Sequence, residues 1–141
     1  LCTPVCLDES IARPRDLARA LAHPELRCYA VKAAKFGGVQ PTLDFLSMAE
    51  ERGIDVWMGG MYDTGVSKRL HAALGTLPHV KAPGDIGSTA RYFAQDITDP
   101  PYTADRGFVT LNRTGHEHGL GCDLNRAVLA RVLVDHIVIE R

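Results

Sequence analysis

The sequence predicts an α/β fold in which parallel strands alternate with covering helices, and three observations carry that reading. Short apolar runs recur at a near-constant pitch, each ends in a polar or glycine-rich corner, and each corner leads into apolar residues at helical spacing. Such alternation implies right-handed βαβ crossovers and a parallel sheet with helices packed on it. A barrel and a doubly wound open sheet both satisfy the pattern. In either, the corners TPVCLDES, VKAAKFGG, VWMGGMYDTG and APGDIGSTARYF gather on one rim, where folds of this kind place their active sites.

The first unit pairs a short strand, Pro4 to Asp8, with a helix from Arg13 to Ala22. Pro14 is tolerated in its first turn and Asp16 is favourable near its N-terminus. Arg27 to Ala33 reads as the second strand. The Gly37-Gly38 corner follows, and Pro41 opens a helix whose Leu43, Leu46, Ala49 and Glu50 end at Gly53, a natural C-cap. Asp55 to Met58 is the third strand, Gly59-Gly60 marks close backbone approach, and Gly65 to Leu77 carries Val66, Leu70, Ala73, Leu74 and Leu77 on one helical face. Val80 to Ala82 is a weaker fourth strand before the Pro83-Gly84-Asp85 turn and a short helix through Arg91 and Phe93. The pattern then loosens from Asp96 to Gly121, with a short strand from Gly107 to Leu111. Asp123 is placed to cap a helix over Leu124 to Leu133, and His136 to Ile139 reads as a strand-like tail. Residues 1–95 are thus expected to form the main unit and 96–141 a closing segment, helix and tail.

A chain of 141 residues with 45% hydrophobic and 23% charged residues has a globular balance, and its net charge of −1 offers no attraction to nucleic acid or to a membrane surface. A small molecule is therefore the expected partner. No apolar run is long enough for a bilayer and no basic-then-apolar leader is present, so a cytoplasmic location is expected. The chain begins at Leu1, inside a strand-like run and without an initiator Met, which suggests the C-terminal part of a larger protein. Cys2, Cys6, Cys28 and Cys122 lack paired CxxC spacing, and buried free thiols are expected in preference to a metal or disulfide site.

Lys32 is the most informative residue. It follows Tyr29-Ala30-Val31, an unfavourable place for an ammonium unless a carboxylate or a function holds it there. Burial is expected to lower its pKa towards neutrality, which suits proton exchange with a carbon acid. Asp8 ends the first strand, where its carboxylate either faces the mouth as an oxygen ligand for a hard cation such as Mg²⁺ or caps the next helix. Glu9 is placed to pair with Lys32 or to stand in solvent, and Lys35 reads as a surface lysine. Arg91, Tyr92 and Phe93 follow the fourth corner, where an aromatic ring suits a substrate pocket or the core. His116, Glu117 and His118 superficially suggest a metal cluster, but their spacing is unspecific. A nucleotide-binding reading lacks a GxGxxG corner or Walker A loop.

Taken together, TPVCLDESI, VKAAKFGG, WMGGMYDTGVSKR, APGDIGSTARYF, QDITDPPY and GLGCDL resemble, in order and interval, the C-terminal barrel half of the enolase superfamily. Within it they resemble the o-succinylbenzoate synthase / N-acylamino acid racemase family, over nearly the whole chain from Thr3 to about Leu124. The resemblance implies a TIM-type (β/α) barrel with strands five to eight present here, plus the tail of a capping region. It implies that Asp8 is the third Mg²⁺ carboxylate (Mn²⁺ being an alternative metal) and Lys32 the catalytic lysine of the sixth strand. Gly60, Met61 and Tyr62 match the seventh-strand corner beside the substrate and Asp85 the eighth, with Glu9 and Tyr92 in support. The family's Lys-x-Lys motif and first two carboxylate ligands belong to the missing N-terminal half of the barrel. Departures occur at Ala33-Ala34, where the family has Pro-Gly, at Ala90, where it is usually acidic, and at Tyr62, where it is aliphatic.

The implied function is Mg²⁺-dependent o-succinylbenzoate synthesis, a carbon-oxygen lyase step of menaquinone biosynthesis, on a small-molecule carboxylate. In it an α-proton is removed to give an enediolate whose charge the metal neutralises while Lys32 stabilises charge from the other face. The alternative is racemisation of N-succinyl- or N-acylamino acids, with two lysines exchanging protons on opposite faces. The complete protein is expected to be a homo-oligomer. A further reading is a non-catalytic fragment or assembly half, since four parallel strands without closing partners leave two unpaired edges.

Overall fold

A computed structural model describes residues 2–81, 83–111 and 118–138. Three strands, β1 (Cys6–Leu7), β2 (Cys28–Val31) and β3 (Asp55–Met58), form one parallel sheet in the order β1-β2-β3, with Cys6 opposite Cys28 and Cys28 opposite Asp55. Helix α1 (Pro14–Ala20) joins β1 to β2, while α2 (Ala33–Phe36) and α3 (Val39–Glu51) join β2 to β3. Helix α4 (Gly65–Leu74) follows β3. Strand order thus follows chain order without the reversal that defines a doubly wound sheet.

All of these helices pack on one face. Tyr29, Val31, Val56 and Met58 of the sheet share a core with Leu17 and Ala20 of α1, Phe45, Leu46 and Ala49 of α3, and Leu74 of α4. The alternation of a strand puts Cys28, Ala30 and Lys32 on the opposite face. Phe45 is fully buried, with the Phe36 ring edge-on at 4.6 Å, and truncating such a side chain to alanine typically costs about 3–5 kcal/mol.

Local chemistry explains the boundaries. Pro14 occupies the start of α1, and Asp16 accepts the Ala12 N–H at 3.2 Å. The α2–α3 corner turns on Gly37 and Gly38, at φ of 89° and 122°, values that favour residues without a side chain. Gly60 permits the close approach expected of it, because a Cβ there would collide with the carbonyl oxygen of Asp85. The start of α4 is held by Asp96, a buried carboxylate. Its oxygens accept from the N–H groups of Gly65 at 2.9 Å and Tyr102 at 3.0 Å, and from the hydroxyls of Thr89 at 2.9 Å and Thr98 at 3.0 Å.

Several expectations are corrected. The fourth strand reduces to one parallel bridge, Val56 with Val80, with Ala82 outside the described residues. The short helix before Phe93 is a single 3₁₀ turn, Thr89–Arg91. The Gly107 to Leu111 strand reduces to a bridge between Asp105 and Phe108. Asp123 does not cap a helix: it lies in β5 (Asp123–Leu124), antiparallel to β4 (Thr98–Asp99), and Asn125 caps α5 (Arg126–Val132) by accepting the Val128 N–H. Residues 133–138 have no regular structure, and Ile139, Gly115, His116 and Glu117 lie outside the described residues. The thiols are free as expected but not buried. Cys2 and Cys6 are exposed and Cys28 and Cys122 half-buried, and among the described residues no helix packs on the sheet face that carries Cys6 and Cys28.

Candidate active site

Asp8 and Lys32 are each the first residue beyond a strand, on neighbouring strands. With Leu7 opposite Tyr29, Asp8 is level with Ala30, on the face that Lys32 shares, and the long lysine side chain spans the two-residue offset. Lys32 Nζ lies 2.8 Å from the Asp8 carboxylate and 3.1 Å from Glu9 Oε1. The lysine side chain is 8% exposed, whereas Asp8 is 35% and Glu9 79% exposed. Its stem runs across Gly59 of the next corner, where an added Cβ would stand 2.7 Å from Lys32 Cε. The glycine leaves room for the lysine's path.

Lys35, read from sequence as a surface lysine, belongs to the same cluster. The α2 turn brings its Nζ to 3.3 Å from Asp8 Oδ1 and 3.2 Å from the Asp8 carbonyl, with its side chain only 17% exposed. Two ammonium groups therefore converge on one carboxylate. Burial alone would raise the Asp8 carboxyl, but the hydrogen bonds and charges of Lys32 and Lys35 outweigh it and hold the group below its ordinary value. For Lys32, burial is the largest single influence and pulls the amine down. The bonds and charges of Asp8 and Glu9 together overcome it and raise the amine above its ordinary value. The expected drift towards neutrality is thus reversed, and Lys32 is an ammonium at pH 7.

The second group of expected residues lies at the end of β3. Met61 and Tyr62 are exposed, and the Tyr62 ring meets that of Tyr92 edge-on at 4.8 Å. The ammonium of Lys68, a buried residue of α4, stands 5.3 Å from the Tyr92 ring centre. Asp85 is exposed and its N–H donates to the Met58 carbonyl at 3.0 Å, while Gly60 packs on the Asp85 carbonyl. Gly59 links this group to the first, through its contact with Lys32. His71 of α4, which the sequence analysis did not single out, accepts the Ala33 N–H at Nε2 from 3.0 Å.

Asp8 fits a hard divalent cation. Its carboxylate is the oxygen donor type such a cation takes, and its oxygens are held here by the Lys32 and Lys35 ammonium groups, which a cation would have to displace or share. Among the described residues no group of three or more His, Cys, Asp or Glu side chains comes together. The residues here therefore offer one carboxylate, with Glu9 beside it.

The family model for Enolase C-terminal domain-like matches residues 1–128. The chain is 34% identical over 129 residues to an o-succinylbenzoate synthase of Bacillus subtilis, covering 92% of this chain and 34% of that one. It is 38% identical over 111 residues to an N-succinylamino acid racemase of Thermus thermophilus, covering 79% of this chain and 30% of that one. A crystal structure of an enolase superfamily member from Listeria innocua superposes with a TM-score of 0.82 at 31% identity, over 93% of this chain and 34% of that one. The chain spans about a third of the length of the curated relatives it matches.

Proposed function

The chain belongs to the enolase C-terminal domain-like family, and from that premise we propose that it supplies part of the active site of an o-succinylbenzoate synthase. In this reading β1, β2 and β3 with the Val80 bridge correspond to strands five to eight of a TIM-type barrel, and the remaining strands, ligands and second lysine come from residues outside this chain. The observation that carries the reading is the buried Lys32 ammonium held 2.8 Å from Asp8 at adjacent strand ends.

Asp8 would be this chain's ligand to Mg²⁺, or Mn²⁺, which when bound would supply positive charge to a substrate carboxylate and make the neighbouring C–H more acidic. Lys32, kept protonated by Asp8 and Glu9, presents an N–H to charge developing on the substrate from one face. Gly59 leaves the lysine its path. Gly60, Met61 and Tyr62, with Asp85 and Tyr92, would border the substrate. An ammonium at Lys32 suits stabilisation of charge in dehydration and equally the proton donor of a two-lysine racemisation.

Racemisation of N-succinylamino acids is kept as the second reading because a relative of that name is 38% identical to this chain. Dehydration of the cyclohexadiene acid and α-proton exchange in N-succinylamino acids, assayed side by side on the complete protein, separate the two. Dehydration faster by tenfold or more supports the synthase, the reverse supports the racemase, and neither activity removes both. The isolated 141 residues are expected to bind Mg²⁺ weakly and to turn over nothing. Turnover matching the complete protein would contradict the division of the site. No helix among the described residues is long and apolar enough to cross a membrane. A location in the cytoplasm is proposed with the function.

A further inference from the structure

The amide that follows Lys32 is buried, and its partner is a side chain from another helix. Ala33 is the first residue of α2, a position whose N–H has no acceptor within its own helix. It is 2% exposed, and it donates to Nε2 of His71, which is fully buried on α4. A neutral imidazole accepting at Nε2 carries its proton on Nδ1. That atom has no hydrogen-bond partner among the described residues and lies 3.9 Å from Asp63 Oδ2, the oxygen that accepts the Met61 N–H at 2.9 Å. The ring therefore stands between the corner that carries Lys32 and the loop that carries Met61 and Tyr62. An apolar side chain would fill the same space but would leave the buried Ala33 N–H without an acceptor, so packing alone does not account for a histidine here.

We propose that His71 is a positioning residue for Lys32: by accepting the Ala33 N–H it sets the bend at which the chain leaves β2, and so holds the lysine ammonium on Asp8. The inference rests on the reading that Lys32 is the working amine of the site. It also gives a rescue. Ala33→Pro removes the N–H that needs the imidazole. The backbone suits it, since proline is favoured at the first helical position and Lys32, at φ −134° and ψ 111°, is already extended as a residue before proline must be.

The test compares His71→Leu, Ala33→Pro and the double variant in the complete protein. The readouts are kcat, KM and the rate at which Lys32 is acylated by limiting acetic anhydride, followed by peptide mass spectrometry. His71→Leu is expected to lower kcat about 10- to 100-fold with KM within about twofold, and to shift the acylation rate at least threefold. Ala33→Pro alone is expected to be impaired, because the proline Cδ replaces an amide hydrogen that points at His71 Nε2 across 3.0 Å and so meets the imidazole, and the double variant to recover most of both losses. A double variant as impaired as His71→Leu overturns the inference, as does His71→Leu with parental kcat and acylation. If His71→Leu does not fold, the double variant decides: folding restored supports the proposal and folding still lost overturns it. If the parent turns nothing over, the proposed function falls, while the acylation rates still judge the role of His71.

Discussion

Gly59→Ala separates the function of the lysine corner from its stability. The added methyl would stand 2.7 Å from Lys32 Cε and 3.1 Å from Cγ, where ordinary contact begins at 3.4–4 Å, so the stem must retreat by about 1 Å. The obstructing atoms belong to a flexible side chain and Gly59 does not sit at positive φ, so the fold absorbs the change at a cost of about 1 kcal/mol or less. The amine does not. A 2.8 Å bond to Asp8 stretched by such a shift is no longer a good hydrogen bond, and a misplacement of about 1 Å at a reacting group costs about 100-fold in rate. Gly60→Ala is the control, because there the Cβ meets the backbone carbonyl of Asp85, which cannot swing aside. Turnover and thermal unfolding of both variants in the complete protein give the answer. Gly59→Ala should lose about two orders of magnitude in kcat with Tm within a few degrees, and Gly60→Ala should lose stability. Parental turnover in Gly59→Ala, or unfolding as severe as in Gly60→Ala, would refute the reasoning.

Other consequences follow from the same geometry. Asp96→Asn turns an NH₂ group towards either the Gly65 or the Tyr102 N–H, and denaturant titration should show a loss of about 2–3 kcal/mol. Burial would raise the Asp96 carboxyl, but the Tyr102 and Gly65 N–H groups and the Thr89 and Thr98 hydroxyls outweigh it and lower its pKa from 3.8. A depressed folded value means stability that is complete above the unfolded value and lost as pH falls through the folded one, so Asp96→Asn should flatten the decline below about pH 4. Lys35→Met removes one of the two ammonium groups on Asp8 and should lower turnover about tenfold, far less than loss of Lys32. Burial and the neighbouring Cys6 push the Cys28 thiol up to about 11. Iodoacetamide at pH 8 should therefore label Cys28 more slowly than the exposed Cys2.

Lys32 and Asp8 were legible because each breaks an apolar run at a strand end, and a charge so placed calls for a partner. The corner glycines were legible for a similar reason. Lys35 was not, because the single turn from Ala33 to Phe36 is too short to show a helical period, and without that turn nothing brings Lys35 back over Asp8. His71 was hidden among the apolar residues of α4, where a lone histidine carries no period of its own. Asp96 opens the stretch where strand and helix patterns lapse, and its partners at Gly65, Thr89 and Tyr102 are joined only by the folded chain. The pairing of Thr98–Asp99 with Asp123–Leu124 escaped notice because two-residue strands far apart in the chain leave no alternation to read. Barrel and doubly wound sheet could not be told apart from periodicity, and the β1-β2-β3 order with its helices on one face is common to a barrel and to one half of a doubly wound sheet.

The most direct test of the account is Lys32→Ala in the complete protein, with dehydration and α-proton exchange measured beside thermal unfolding. The account expects turnover to fall by about 10³-fold or more while Tm stays within a few degrees of the parent. Turnover at the parental rate in a folded Lys32→Ala protein would contradict it, and with it the claim that the ammonium beside Asp8 is the working group.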